Sequence, residues 1–302
     1  MATHQSRRRY PALAGGLAIA ALTMGFVAGP ATAAPPPPVD YVALGDSYTA
    51  GTGAGGVTRP SGVACWQSEG GYVDLVDDSP KVSLVANLAC HGAVLSSTSP
   101  FYDFMTPTVA EQIFSPVGQQ ALADAELVSI TAGAVDAGSL LALQACASPD
   151  TVTCAATVAG IIQNLGTLEA GLEATYQAIQ ASAPDAVIAV LGYPRLFDPS
   201  QGDIVVNGVT VVPVENQILV NQAIDALNAT IAKAVAESGT NAVFIDVTKR
   251  FTGHAVNSDN PWIVLDLTQP LADANFHPND EGHQAYASAL LSSVKLTQLA
   301  KR

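Results

Sequence analysis

Positive charge is scarce in this 302-residue chain: 12 lysines and arginines stand against 26 acidic residues. Three of the cations, Arg7, Arg8 and Arg9, lie at the extreme N-terminus, so a chain without that segment would carry a formal charge of −17 instead of −14. Nothing basic and interleaved with aromatics is left to hold a phosphate backbone, which argues against nucleic acid as a partner. Metal-ligand spacing is also missing. There is no H-E-x-x-H and no C-x-x-C, so no metal site is expected. No Gly-rich loop is read as a dinucleotide or P-loop site, and no cofactor is expected. An unbroken apolar run long enough to cross a bilayer is lacking too: the stretch 13–27 is short and interrupted by Gly15, Gly16 and Gly25.

That N-terminal stretch instead has the parts of an export signal. Arg7 to Arg9 supply the basic region, residues 13–27 the apolar one, and Ala31-Thr32-Ala33 a small-residue cleavage site. Residues 1–33 are therefore expected to be a signal peptide, 34–40 a Pro-rich spacer, and 41–302 one secreted domain with no integral membrane segment after cleavage. The acidic balance of that domain reflects solubility and does not identify a substrate. An even cysteine count in an exported chain favours disulfides. Of the three pairings open to Cys65, Cys90, Cys146 and Cys154, Cys146 with Cys154 closes a short loop, and Cys65 with Cys90 joins two loops expected to meet near Ser47.

Low charge and abundant Ala, Val and Leu argue for a globular chain. Short apolar runs of strand type at 41–44, 82–88, 127–131, 186–191 and 242–247 alternate with helical stretches at 71–77, 158–183, 216–237 and 281–299. That alternation implies a doubly wound α/β sandwich with a parallel sheet. Small and polar residues follow the strands, so Gly45-Asp46-Ser47, Cys90-His91-Gly92, Gly133-Ala134-Val135-Asp136 and Gly192-Tyr193-Pro194 are expected along one sheet edge, where such sheets place their ligands.

Ser47 at a strand's carboxyl end can expose its Oγ while aiming its own N–H at a developing oxyanion. The competing reading is that Asp46 or Ser47 merely caps a helix. A serine nucleophile needs a base, and His91, His254, His277 and His283 are the histidines beyond the leader. His277 is the best candidate, because its loop immediately precedes a C-terminal helix able to pack beside the first strand. His283, one turn into that helix, is expected to face solvent or pack locally.

The ordered set Gly45-Asp46-Ser47-Tyr48, Gly92 within Ala89-Cys90-His91-Gly92-Ala93, Gly133-x-x-Asp136 and His277-Pro278-Asn279 resembles the blocks of the SGNH, or GDSL, hydrolases. Gly192-Tyr193-Pro194-Arg195, Gly253-His254-Ala255 and Pro261-Trp262-Ile263 extend the likeness to secreted actinobacterial esterases, lipases and phospholipases. The resemblance implies a three-layer α/β/α sandwich with a flavodoxin-like sheet. It also implies a serine esterase in which Ser47 attacks, His277 acts as base and then acid, and the N–H groups of Ser47 and Gly92 bind the oxyanion. Asp46 and Asp136 are carried over as residues that fix the surrounding loops. Two departures stand out. Position 135 is valine where the family has an oxyanion-hole asparagine, which leaves open a weakened protein that binds acyl or glycan ligands without turning them over. Position 274 is alanine where the family has its orienting acid, so either Asp273 or a main-chain carbonyl near Ala274 or Asn275 must hold the imidazole, the carbonyl being preferred. A monomer acting on a small-molecule ester or lipid is expected. Acyl selectivity is assigned to the loops 100–120 and 139–153, with Phe101-Tyr102-Asp103-Phe104-Met105 as a candidate lipid-facing lip.

Overall fold

The run Val39–Gly45 forms the first strand, β1, and all but one of its seven residues are buried. A strand so apolar on both faces fits the middle of a parallel sheet covered on each side. In the computed structural model, which describes residues 36–58 and 65–299, it is joined by β2 (Val82–Asn87), β3 (Leu127–Thr131), β4 (Val187–Leu191) and β5 (Ala242–Ile245). All pairings are parallel and the order is β2-β1-β3-β4-β5, which is the flavodoxin-like arrangement. The signal peptide expected at residues 1–33 lies outside the described residues. β1 already begins at Val39, inside the stretch assigned to the spacer.

Eight helices are described: α1 (Tyr72–Asp77), α2 (Val109–Phe114), α3 (Pro116–Leu122), α4 (Ser139–Cys146), α5 (Thr151–Ser182), α6 (Val214–Glu237), α7 (Asp280–Ser293) and α8 (Leu296–Leu299). They cover the sheet as a three-layer sandwich, with α1 against α7 in one layer and α5 against α6 in the other. Helices α2, α3 and α4 correct the expectation of loops over 100–120 and 139–153. A capping box explains α2: Thr108 accepts from Glu111 N while Glu111 accepts from Thr108 N. The helix expected from 158 starts at Thr151 instead, because the Asp150 carboxylate caps it through Val152 N and Thr153 N. By length and apolarity α5 could cross a membrane, yet Val158, Leu165, Leu172, Tyr176 and Ile179 are buried in the core. The final helical stretch breaks at Val294, whose backbone is extended.

The cysteines are joined as Cys65–Cys90 and Cys146–Cys154. The first bond ties the segment after the 59–64 stretch to the loop leaving β2. The second fastens the end of α4 to the start of α5.

Candidate active site

β1 ends at Gly45, opposite Thr131 of β3. Its φ is 127°, and a Cβ there would sit 2.1 Å from the Thr131 carbonyl oxygen. Only glycine lets the chain leave the sheet so close to its neighbour. The turn that follows is held by Asp46, whose N–H donates to Thr131 O. The buried Asp46 carboxylate accepts from Tyr48 N, Thr131 Oγ1 and Tyr193 Oη. Burial pushes its pKa up to about 6, against those hydrogen bonds. Tyr193 Oη also accepts from Ala134 N, so one phenol links the turns after β1 and β3. The Asp136 carboxylate accepts from Leu95 N and joins the loops after β3 and β2.

Ser47 is only 7% exposed, and its Oγ lies 2.7 Å from His277 Nε2. His277 reaches that place by a locally fixed route. Asn279 caps α7 through Gly282 N, and its amide donates to Pro261 O. Val264 N donates to His277 O and Phe276 N to Val264 O, so residues 276–277 are laced to the 262–264 segment. Phe276 adopts φ 62°, in the left-handed region, and its carbonyl accepts from Tyr48 Oη at 2.7 Å. Gly53 completes the support: a Cβ on it would meet Pro278 O at 2.3 Å and His277 Cβ at 3.2 Å.

The imidazole is oriented by the main chain. His277 Nδ1–H donates to Asn275 O at 3.0 Å, which leaves Nε2 bare toward Ser47. The Asp273 carboxylate is not on this ring, although the Asp273 backbone lies near it. The carboxylate lies 3.8 Å from His91 Nε2 and is 66% exposed, because the turn that presents Asn275 O to His277 sends the Asp273 side chain outward. Burial, and then the neighbouring His91, hold the His277 pKa down to about 3, so the ring is neutral at ordinary pH. The turn's hydrogen bonds use the N–H groups of Asp46, Tyr48, Thr49, Ala50 and Thr52. Among the described residues Ser47 N and Gly92 N are left without a partner, and Gly92 (φ 78°) faces open space. Val135 is half-buried in the turn after β3 and supplies no polar group.

Contrary to expectation, His283 is fully buried. Its Nδ1 accepts from Tyr72 N and its Nε2–H donates to Thr52 O, pinning α7 to α1 and to the turn after Ser47. His254 stacks on Trp262 at 3.6 Å and is held by Asn260 O. The stretch Gly51-Thr52-Gly53-Ala54-Gly55-Gly56 does carry dinucleotide-type glycine spacing, but a two-residue strand, Val57–Thr58, follows it where such a loop requires a helix. Sequence reading missed Tyr48, Thr52, Tyr193 and Trp66; the aromatic immediately after Ser47 was the available signal for Tyr48.

A cavity of about 520 Å³ lies between the loop after β2, the turn after β3 and helices α4 and α5, bordered by Leu95 three residues beyond Gly92 and by Asp136 three residues beyond Gly133. Leu95, Phe101, Leu141, Ile161, Leu165 and Leu168 line it, and Leu168 also packs against Gly133 at the end of β3. Phe101 of the anticipated lip lines the cavity, whereas Phe104 and Met105 project into solvent, 81% and 56% exposed.

The model of the GDSL-like lipase/acylhydrolase family matches residues 43–285. A lipase of Streptomyces rimosus is 33% identical over 258 residues, covering 84% of this chain and 86% of that protein. Among solved structures, an extracellular lipase from Streptomyces rimosus superposes with a TM-score of 0.69 at 30% identity, covering 85% of this chain and all of the other. Phospholipase A1 from Streptomyces albidoflavus gives 0.69 at 29% identity, covering 84% and 98%.

Proposed function

Because the chain belongs to the GDSL-like lipase/acylhydrolase family, and so is a carboxylic ester hydrolase, we propose that it is a secreted lipase or esterase working through a Ser47–His277 dyad. The 2.7 Å contact between Ser47 Oγ and His277 Nε2 carries the reading. Ser47 Oγ attacks the ester carbonyl as its proton passes to Nε2. The oxyanion is bound by Ser47 N–H and Gly92 N–H, donors that need no reorganisation. Asn275 O stabilises the imidazolium through Nδ1–H, the part an acid plays in a triad. The imidazolium then protonates the departing alkoxide, giving the free alcohol and an acyl-serine. Water, deprotonated by the same ring, releases the acid and restores Ser47.

The acyl group lies in the cavity lined by Leu95, Ile161 and Leu168, whose volume is in the range of small-molecule sites. Its apolar lining favours a fatty acyl chain over acetyl. Export is supported by the leader-type sequence of residues 1–33 and by the two disulfides. The second reading, an acyl or glycan binder without turnover, is favoured by Val135 alone. Hydrolysis of p-nitrophenyl esters separates the two. The dyad predicts turnover lost in both Ser47→Ala and His277→Ala, with a fluorophosphonate labelling Ser47 only when His277 is present. A wild type no faster than Ser47→Ala supports the binder.

A further inference from the structure

The dyad uses one histidine, yet a second imidazole stands 5.6 Å away, ring centre to ring centre. His91 is built in rigidly. It stacks on Trp66 at 3.9 Å, its N–H donates to Trp66 O, and the adjacent Cys90 is bonded to Cys65. Its Nδ1 is 3.0 Å from Thr52 Oγ1. With the proton on Nε2, that N–H points toward the Asp273 carboxylate and Nδ1 accepts from the Thr52 hydroxyl, so this tautomer serves both partners. Burial lowers the His91 pKa despite the opposing pull of Asp273, so a neutral N–H donor looks at an acceptor across 3.8 Å.

That separation is too long for a direct hydrogen bond and open to solvent, with the His91 side chain 20% and Asp273 66% exposed. A hydroxyl oxygen about 2.8 Å from each atom fits the gap, accepting from Nε2–H and donating to the carboxylate. An alkyl group satisfies neither. The position identifies which part of the substrate is read. The acyl chain is assigned to the cavity, whose lining includes none of His91, Trp66 and Asp273, while the ester's leaving oxygen must face His277 Nε2 to take its proton, and the His277 ring is 5.6 Å from that of His91. The alcohol therefore emerges beside His91.

We propose that His91, Asp273 and Trp66 form a leaving-alcohol subsite that selects esters of polyhydroxylated alcohols, through a free hydroxyl bridging His91 Nε2–H and the Asp273 carboxylate. The assignment rests on the Ser47–His277 reading and deepens it. The test compares the glyceryl and methyl esters of one medium-chain fatty acid, with a sugar monoester of the same acid distinguishing glycerol from a glycan as the source of the hydroxyl. The wild type should favour the glyceryl or sugar ester by at least about tenfold in kcat/KM, the worth of one hydrogen bond to a charged group. In Asp273→Ala and in His91→Ser that ratio should collapse toward one, the hydroxylated ester losing about tenfold more than the methyl ester in the same variant. His91→Gln, which keeps an N–H donor, should restore part of it. A merely structural role would depress all the esters together. Equal hydrolysis of the esters by the wild type, or a ratio unmoved in Asp273→Ala, overturns the subsite and leaves the dyad standing. No hydrolysis of any ester overturns both.

Discussion

Removing a single hydroxyl, in Tyr48→Phe, tests whether the His277 loop is held in place for catalysis or merely folded. The Tyr48 ring contacts His277, Tyr193 and Tyr286 at centroid distances of 5.2, 5.1 and 5.8 Å, and phenylalanine keeps all three contacts. What disappears is the 2.7 Å donation to Phe276 O. Burial keeps the phenol protonated and therefore a donor at any working pH. The carbonyl it serves belongs to a residue at φ 62°, a conformation that costs a non-glycine residue roughly 1–2 kcal/mol. The lost bond is worth about 1–1.5 kcal/mol, more if the carbonyl stays dry. For a domain of this size that lowers Tm by about 2–5 °C. Phe276 is one bond from His277, so the same loosening should widen the spread of Nε2 about Ser47 Oγ and cut kcat by roughly fivefold to tenfold, since 1.4 kcal/mol is a factor of ten. KM for a soluble p-nitrophenyl ester should barely change, because the hydroxyl touches neither acyl cavity nor alcohol. Melting curves and steady-state kinetics on the same preparations decide it. A lowered Tm with kcat within twofold of wild type would refute the positioning argument.

Val135→Asn returns an amide to the turn after β3, and restoring one oxyanion donor should raise kcat by up to about 10²-fold; an unchanged kcat would mean the half-buried side chain is not aimed at the reacting carbonyl. Because the proposed dyad needs a neutral His277, and burial with His91 holds its pKa near 3, kcat/KM should stay flat well below the ordinary histidine range before falling in acid. An acid limb centred near pH 6.5 would contradict this. Stability should respond to pH through opposed groups, the buried histidines His277 and His283 on one side and Asp46 on the other. His283, lowered to about 4 by burial, takes up protons more readily when unfolded, so its contribution is lost as pH falls from about 6.5 toward 4. Asp46, raised to about 6, is protonated more readily when folded, so its contribution is present below about 3.8 and lost as pH rises through 6. Asp46→Asn should therefore unmask a steeper acid loss of stability in denaturant titrations. The disulfides span 25 and 8 residues, separations worth about 3–4 and 2–3 kcal/mol by loop closure. Replacing Cys65 and Cys90 by serine should also lower kcat through the Gly92 loop, whereas replacing Cys146 and Cys154 should lower Tm alone.

What could be read from the residues follows the range over which each feature is determined. β3 and β4 are short apolar runs buried on both faces, so their strand character lies in contiguous letters, and parallel order follows once helices intervene. Ser47 and His277 are 230 positions apart, yet each sits in a local block whose type announces a turn, and the sheet brings the blocks together. Short helices fared worse. The capping box of α2 is a four-residue signal available to inspection, but α4 shows too little amphipathicity to be seen, with Leu140 and Leu141 both exposed. Partners fixed only by tertiary packing could not be foreseen: His283 finds Tyr72 N across 211 positions, and Tyr193 finds Asp46 across 147.

The acid beside His277 shows why spacing alone misleads. A carboxylate one place out of register invites assignment to the nearest imidazole in sequence. In the folded chain the left-handed turn at Phe276 brings Asn275 O onto Nδ1, so His277 needs no further acceptor. A charged group released from that duty remains next to the site without the cost of burial, 66% exposed, and the nearest imidazole in space is His91. On the proposed reading, the alanine at 274, the displaced acid at 273 and the histidine at 91 belong together: backbone orients the ring of the dyad, and the carboxylate is turned toward His91, where the alcohol that His277 protonates would emerge. This linkage also constrains restoration of the acid. Ala274→Asp would compete with Asn275 O for Nδ1–H and should change kcat little, because the tautomer it would enforce is already fixed.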